Sequence, residues 1–393
     1  MSTNPDDKLL PLSPMDAVMH SFGFVILYIF PPSASGPYDL DKLQSSFATL
    51  VQEDYPILTG ELYIDSSTGI VNVKQTPQSR QLGAAGIRFD MNATNSMTTE
   101  EAIQQRSMDL MPTSRGKTEL LCVKGTLLSD GGVVIGMDAS HTLFDGEAMF
   151  TFMTVNIFKR ATPRVSVVEA ASEAASNGAE TSLSAPPSTA HHLFHFTPDM
   201  MKRIKQVATR GGVSGDGEPS RANYDWSECS SSLSPPLPTN YVGNVIFNAL
   251  STYTDSELQS EGKADDLVSP ATLGKLARRV RESILQRDDA YLRDAVNFLA
   301  EQSDISAVQV GTNFFFGPDL MFTSWLHMGM YNAEFGGTRP WYACVPRLPC
   351  YDGFVMLTEV QKSGDGLDVG VFLECSAMDK LKNMFARVAF LHD

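Results

Sequence analysis

An α+β architecture of two similar halves is what this sequence predicts, and three observations point to it. Strand-like apolar runs and amphipathic helical runs are mixed on both sides of residues 163–190. That intervening stretch, PRVSVVEAASEAASNGAETSLSAPPSTA, is rich in Ala, Ser, Glu and Pro and has no aromatic residue, so it reads as a solvated crossover linker. The chain has 393 residues, 42% of them hydrophobic, which is length and apolar material enough for a large pseudo-duplicated core. The expected division is therefore 1–162, a linker over 163–190, and 191–393.

The elements follow in chain order. FGFVILYIF (Phe22 to Phe30) is a strand with Tyr28 as a late polar edge. Leu40, Leu43, Phe47 and Leu50 share one helical face over Leu40 to Glu53. Ser129-Asp130-Gly131-Gly132 is a hairpin signal joining strands over 117–125 and 132–139. Glu147 to Arg160 is helical. His192 to Phe196 is a short strand, after which Thr197 caps a helix with Pro198 at its first position, running through Ala208. Ser269-Pro270 opens another helix in the same way, continuing to Leu285 and on toward Leu299. Strands are expected at Phe314 to Phe316, Val345 to Pro346, Phe354 to Glu359 and Leu367 to Leu373, and a last helix over Met378 to Ala389. Soft, turn-rich stretches lie at 211–219 and 230–240.

Charge and cysteine usage exclude several functions. With 46 acidic against 30 basic side chains the net charge is -16, and neither nucleic acid nor an anionic membrane surface suits such a chain. The longest apolar stretch, Phe22 to Pro31, is shorter than the roughly 20 residues a bilayer span takes. The start has no basic region followed by an apolar run. Five scattered cysteines without a C-x-x-C pair suit reduced thiols in a cytoplasmic protein, with no metal site.

One segment carries chemistry. GMDASHTLFDGEAMFTF places His141 just after an apolar strand, Asp145 four residues later, then Gly146 and a helix. A histidine at a strand end, aimed into a cleft, can act as a base near neutral pH. Asp145 suits a loop-holding role better than a share in the proton. The spacing fits a buried, hydrogen-bonded hairpin histidine equally well.

His-x-x-x-Asp-Gly resembles the signature of the BAHD family of CoA-dependent acyltransferases. TSWLHMGMYNAEFGGTRPWY resembles that family's second landmark, through Thr323, Ser324, Trp325, Tyr331, Phe335, Gly336, Arg339 and Pro340. LSPMDA (Leu12 to Ala17), DYPILTGEL (Asp54 to Leu62) and SPPLPTNYVGN (Ser234 to Asn244) match smaller landmarks, so five stand in order along the chain. The second landmark's spelling and the long linker look closest to the fungal trichothecene 3-O-acetyltransferase-like branch.

The resemblance implies two chloramphenicol-acetyltransferase-like domains, each a mixed sheet with helices, enclosing an interdomain channel. Acyl-CoA, as co-substrate with no bound cofactor, and a small-molecule acceptor would meet there at His141. It implies an acyltransferase acting on a hydroxyl, or less readily an amine, of a specialised metabolite; a cytoplasmic monomer is expected. Thr323 is the candidate oxyanion donor, Trp325 and Gly337 border the acceptor, and Gly146, Phe335, Gly336 and Arg339 hold the motifs. His327, two residues after Trp325, would share its strand face and line or pack beside the pocket, with a second base as the alternative role. Lys202, Arg203 and Lys205 are a candidate basic patch for CoA.

The chain departs from the family at three places. Glu334, Gly337 and Thr338 stand where the family has Asp, Trp and Gly. Ser230 or Ser232 stands where an arginine that pairs with the motif aspartate is expected, with Arg221 a candidate replacement. GGVSGDGEPSRANYDW is too short and polar to supply a helix the family carries there. Loss of bulk at Gly337 would widen the pocket for a multi-ring apolar substrate. These departures leave open a CoA-independent isomerase or cyclase using the same base, and a non-catalytic binding protein. His191, His192 and His195 lack carboxylate or cysteine company and suit a crossover strand better than a metal. Met149, Met153, Met200, Met201, Met328 and Met330 suit core or pocket filling.

Overall fold

The computed structural model describes residues 4–34, 36–156, 188–211, 243–244, 246–258, 269–308, 316–348, 351–360, 364–388 and 391. The first half runs β1 (Lys8–Pro11), α1 (Pro14–Ala17), β2 (Gly23–Phe30), α2 (Leu40–Glu53), β3 (Glu61–Ile64), β4 (Val71–Gln75) and α3 (Pro77–Leu82). It continues with β5 (Phe89–Asn92), α4 (Thr99–Gln105), β6 (Leu121–Leu127), β7 (Val133–Ser140) and α5 (Gly146–Asn156). The second half has β8 (Thr189–Phe196), α6 (Pro198–Gly211), α7 (Asp255–Leu258), α8 (Pro270–Leu285) and α9 (Asp289–Ala300). It closes with β9 (Met321–Ser324), β10 (Tyr342–Cys344), β11 (Phe354–Glu359), β12 (Leu367–Glu374) and α10 (Cys375–Arg387).

The strands form three sheets, ordered β1-β4-β3, β10-β2-β7-β6-β5 and β8-β12-β11-β9. Helices pack beside mixed sheets in both halves, so the chain is α+β. The predicted hairpin is present: β6 and β7 pair antiparallel from Leu121↔Ala139 to Leu127↔Val133. Gly131 turns it with φ +89, a conformation that side-chain-bearing residues resist.

The halves are not cleanly separate. β10 comes from the second half and pairs antiparallel with β2 of the first, Tyr342 opposite Ile29 and Cys344 opposite Leu27. At the other junction, Ala190 and Thr189, read above as linker, already pair with Leu373 and Glu374. The linker's residues 163–187 lie outside the described residues.

Other expectations shift for local reasons. With β10 on one side and β7 on the other, β2 is an interior strand, and Tyr28 is fully buried rather than a polar edge. Burial pushes its phenol well above the ordinary value. The strand expected at 345–346 is Tyr342–Cys344 instead, where the backbone finds β2. Phe314 lies outside the described residues, and Phe316 is a turn residue at φ +54. The long helix from Ser269 breaks after Leu285, because Asp288 caps a new one by accepting from the Tyr291 N–H at 2.9 Å. Thr197 caps α6 as expected, accepting from the Met200 N–H at 3.2 Å. The last helix spans Cys375–Arg387, earlier than read. Among the described residues no helix is long and apolar enough to cross a membrane.

β2 explains where the core sits. Phe24, Ile26, Tyr28 and Phe30 face a cluster with Leu40 and Leu43 of α2 and Met149 and Phe150 of α5. Leu27 and Ile29 face a second cluster with Ala102, Leu110, Tyr342 and Cys344. Each fully buried side chain of this size contributes about 1.5–3 kcal/mol. Phe194, Val355, Val371 and Met378 form a third cluster in the second half.

Candidate active site

The site starts where β7 runs out. The His141 N–H donates to the Phe22 carbonyl at 3.0 Å, which fixes the first residue beyond the strand against the start of β2. Asp145 then caps α5: its Oδ1 accepts from the Ala148 N–H at 2.8 Å. Gly146 allows a close approach, because a Cβ there would sit 3.1 Å from Met328 Sδ and 3.5 Å from the Trp325 ring.

What orients the imidazole is Asn244. Its Oδ1 lies 3.0 Å from His141 Nδ1, while its Nδ2 donates to the His141 carbonyl at 2.7 Å and to Asp16 Oδ1 at 2.9 Å. A carbonyl and a carboxylate only accept, so the Nδ2 end must face them and Oδ1 must face the ring. The proton therefore sits on His141 Nδ1, and Nε2 is left with its lone pair. Asp16 also accepts from the Asn244 backbone N–H at 2.8 Å and from Ser13 Oγ at 2.6 Å. Burial raises the Asp16 carboxyl from its ordinary value, opposed by the hydrogen bonds from Ser13 and Asn244. Burial lowers the His141 imidazole, opposed by the Asn244 hydrogen bond and the charges of Asp145 and Asp16. The outcome is a neutral imidazole with a defined basic nitrogen.

The wall beside it is aromatic. Phe24 meets His141 edge-on at 5.9 Å and stacks on Trp325 at 5.0 Å, and Phe150 meets Trp325 edge-on at 5.4 Å. Trp325 is only 6% exposed, so it belongs to the packed wall and touches the histidine through Phe24. Thr323 lies in β9 opposite Met356 of β11, partly buried, on the strand face that Trp325 continues.

Two expected site residues are elsewhere. β9 ends at Ser324, so His327 is not on the strand face of Trp325. It is an exposed turn residue at φ +63 whose backbone N–H donates to Glu359 Oε1 at 2.9 Å. Gly337, expected to border the acceptor, is an exposed turn residue with open space where a Cβ would stand. Phe335 and Thr338 exchange backbone hydrogen bonds of 2.9 and 3.0 Å around Gly336 (φ +59) and Gly337 (φ +74), a two-residue turn that needs positive φ at both positions. Phe335 stacks on Tyr38 at 5.3 Å and meets Phe30 edge-on at 6.3 Å. Phe30 is six residues from Phe24 along β2, roughly 20 Å at about 3.3 Å per residue. The turn thus packs the far end of the strand, and Glu334, Gly337 and Arg339 are exposed there.

Of the remaining candidates, Lys202 and Lys205 are exposed on α6, and Arg203 donates to the Leu391 carbonyl at 2.8 Å. His195 Nδ1 pairs with Asp368 Oδ1 at 3.0 Å. Among the described residues no three His, Cys, Asp or Glu side chains are grouped to hold a metal. Arg221, Ser230 and Ser232 lie outside the described residues. Asn244, Asp16 and Ser13 were not singled out from the sequence, although they sit inside the YVGN and LSPMDA landmarks. Only the fold brings residues 16, 141 and 244 together.

A family model described as Transferase family matches residues 2–205 and 227–388. The chain belongs to that family, the BAHD acyltransferases. A hydroxycinnamoyltransferase of Narcissus pseudonarcissus is 29% identical over 156 residues, covering 40% of this chain and 34% of the relative. The chain thus matches about a third of the length of that relative. Rosmarinate synthase of Plectranthus scutellarioides is 25% identical over 311 residues, covering 68% of this chain and 70% of the relative. The crystal structure of F. graminearum TRI101 complexed with coenzyme A and deoxynivalenol shares the fold, with a TM-score of 0.65 at 15% identity over 96% of this chain and 97% of that one.

Proposed function

We propose that the protein transfers an acyl group from an acyl-CoA thioester to a hydroxyl, or less readily an amine, of a specialised metabolite. The observation that carries this reading is the tautomer of His141: Nδ1 is occupied by Asn244, leaving Nε2 as an oriented base. Nε2 takes the acceptor's proton as its oxygen attacks the thioester carbonyl. The tetrahedral intermediate then expels CoA thiolate, which takes the proton back from the imidazolium. No covalent enzyme intermediate is needed. Thr323 is the proposed donor to the developing oxyanion, a contribution of about 3 kcal/mol where such donors are aligned. Domains 1–162 and 191–393, joined by 163–190, would enclose the channel in which the two substrates meet. We place the enzyme in the cytoplasm as a monomer. The relatives' names and a fold neighbour complexed with coenzyme A support the substrate class.

The test is acceptor-dependent release of CoA thiol from acetyl- and hydroxycinnamoyl-CoA with pooled phenolic and terpenoid alcohols, product mass being read alongside. An acylated product that His141→Ala loses supports the reading. A product isomeric with its precursor, formed without CoA, replaces acyl transfer with the isomerase or cyclase.

A further inference from the structure

The Asn244 amide sets the tautomer of His141, and something must in turn set the amide. A carboxamide can rotate by half a turn with almost no change of shape, exchanging its Oδ1 for its Nδ2. So rotated, it would aim Nδ2 at His141 Nδ1. The ring proton would then sit on Nε2, which would have no lone pair to offer as a base.

One atom prevents this. Asp16 Oδ1 accepts the Asn244 backbone N–H at 2.8 Å and lies 2.9 Å from Asn244 Nδ2. The backbone donor leaves no choice: an atom that takes a main-chain N–H is an acceptor, whether its carboxyl is charged or neutral. The end of the amide beside that atom must therefore be the NH₂. Its other N–H goes to the His141 carbonyl at 2.7 Å, so a rotated amide would set its oxygen against two acceptors at once. Asn244 is only 1% exposed, so solvent is not at hand to relieve that conflict.

Asp16 is itself held in place. Ser13 Oγ donates to Asp16 Oδ2 at 2.6 Å and accepts the Asp16 N–H at 3.1 Å, which caps the single turn of α1. That turn lies against α9 and the short turn Ile305–Ala307, both from the second half. Residues 16 and 141 come from the first half and 244 from the second, so the connection closes only where the halves meet.

We propose that Asp16 is the positioning residue that decides which nitrogen of His141 is the base, acting only through the Asn244 amide; this rests on His141 as the base of the acyl transfer proposed above. The geometry uses the oxygen of Asp16 rather than its charge. Asn carries an acceptor oxygen in the same place, and its NH₂ can donate to Ser13 Oγ, so Asn can stand in for Asp16 where Ala cannot.

Histidine labelled with ¹⁵N in the full chain reads the tautomer by NMR, a His141→Gln variant assigning the signals among the seven histidines. With the ring neutral and no substrate present, the unaltered protein should show Nδ1 protonated and Nε2 bare. Asp16→Asn should keep that pattern and hold kcat within about three-fold, whereas Asp16→Ala should populate both tautomers and lose about 10-fold in kcat at unchanged KM. In an Asn244→Ala background, Asp16→Ala should cost nothing further in kcat, since its route to the ring is already gone. Should Asp16→Ala fail to fold, Asp16→Ser, whose shorter side chain withdraws the oxygen, takes its place. A ring protonated on Nε2 in the unaltered protein overturns the proposal. So does a truncated Asp16 with tautomer and kcat intact, an Asp16→Asn protein as impaired as the truncation, or a full additional loss in the double variant. If the tautomer responds as expected while no pair of acyl-CoA and acceptor turns over, the positioning role stands and the acyl-transfer reading falls.

Discussion

The two ends of β2 are built of the same material and do different work. At one end Phe24 carries Trp325 and Phe150 on its ring and presents its edge to His141. At the other, about 20 Å away, Phe30 meets Tyr38 and Phe335, and the Gly336–Gly337 turn closes over them. Each end docks a different part of the second landmark onto the same strand of the first half. Trp325 and Phe335 are ten residues apart in sequence, yet only one of them stands beside the candidate base. Membership of one sequence landmark therefore says little about a shared pocket. The strand between them, with β10 laid alongside, sets their separation.

The largest effects separate the two ends. His141→Ala should lower turnover by about 10²–10⁴-fold while leaving the melting point nearly unchanged. Phe335→Ala should destabilise by about 3–5 kcal/mol, since its buried ring is removed from a packed aromatic cluster, with turnover per folded molecule preserved. Denaturant titration and active-site-normalised kinetics read the two. A Phe335→Ala enzyme that is fully folded yet slow would erase the distinction.

The pH profile sharpens the catalytic end. Burial holds His141 below the ordinary 6.5, so its base form persists into mildly acid solution and the acid limb of kcat/KM should fall below that pH. The same shift has a stability sign. The unfolded chain binds this proton more readily, so the contribution is complete above 6.5 and is lost as pH falls through that value toward the lower folded one. Asn244→Ala should cost about 10-fold in kcat by freeing the tautomer. It also removes a hydrogen bond that favours the protonated ring, so the acid limb should move to still lower pH. Unchanged kcat and limb would leave Asn244 a mere loop anchor.

Much of this was legible in the residues. Period, caps and turn chemistry gave α2, the β6–β7 hairpin, α6 and the separate strands β11 and β12, because those signals are local. The strand exchange was not legible, since nothing in Tyr342–Cys344 says that its partner is β2, over three hundred residues earlier. Tyr28 was misplaced for the same reason: its polar tip suggests an edge until a strand from the other half covers it. His141 and Asp145 could be found from the motif, but Asn244 and Asp16 as its support could not, because their spacing of 103 and 125 residues from the histidine carries no period. Gly337 misled by analogy. A missing aromatic read as an open pocket is, in the fold, a glycine that the turn's positive φ requires.

The smallest effect concerns Asp145, which borders the catalytic end without taking the proton. Its Oδ1 accepts from the Ala148 N–H, so truncation to Ala should destabilise by about 1 kcal/mol, as losing an N-cap does. Asn has an oxygen in the same place and is an equally good cap, so Asp145→Asn should restore nearly all of that stability. The two variants share the loss of charge. The Asp145 carboxylate raises the His141 imidazole, so removing it in either variant lets the ring fall further and moves the acid limb of kcat/KM to lower pH. Stability should thus distinguish Ala from Asn, and the pH profile should distinguish both from the unaltered enzyme. If Asn destabilises as much as Ala, the charge rather than the cap holds the loop. In that case Asp145 belongs with the electrostatics of the base instead of the start of α5.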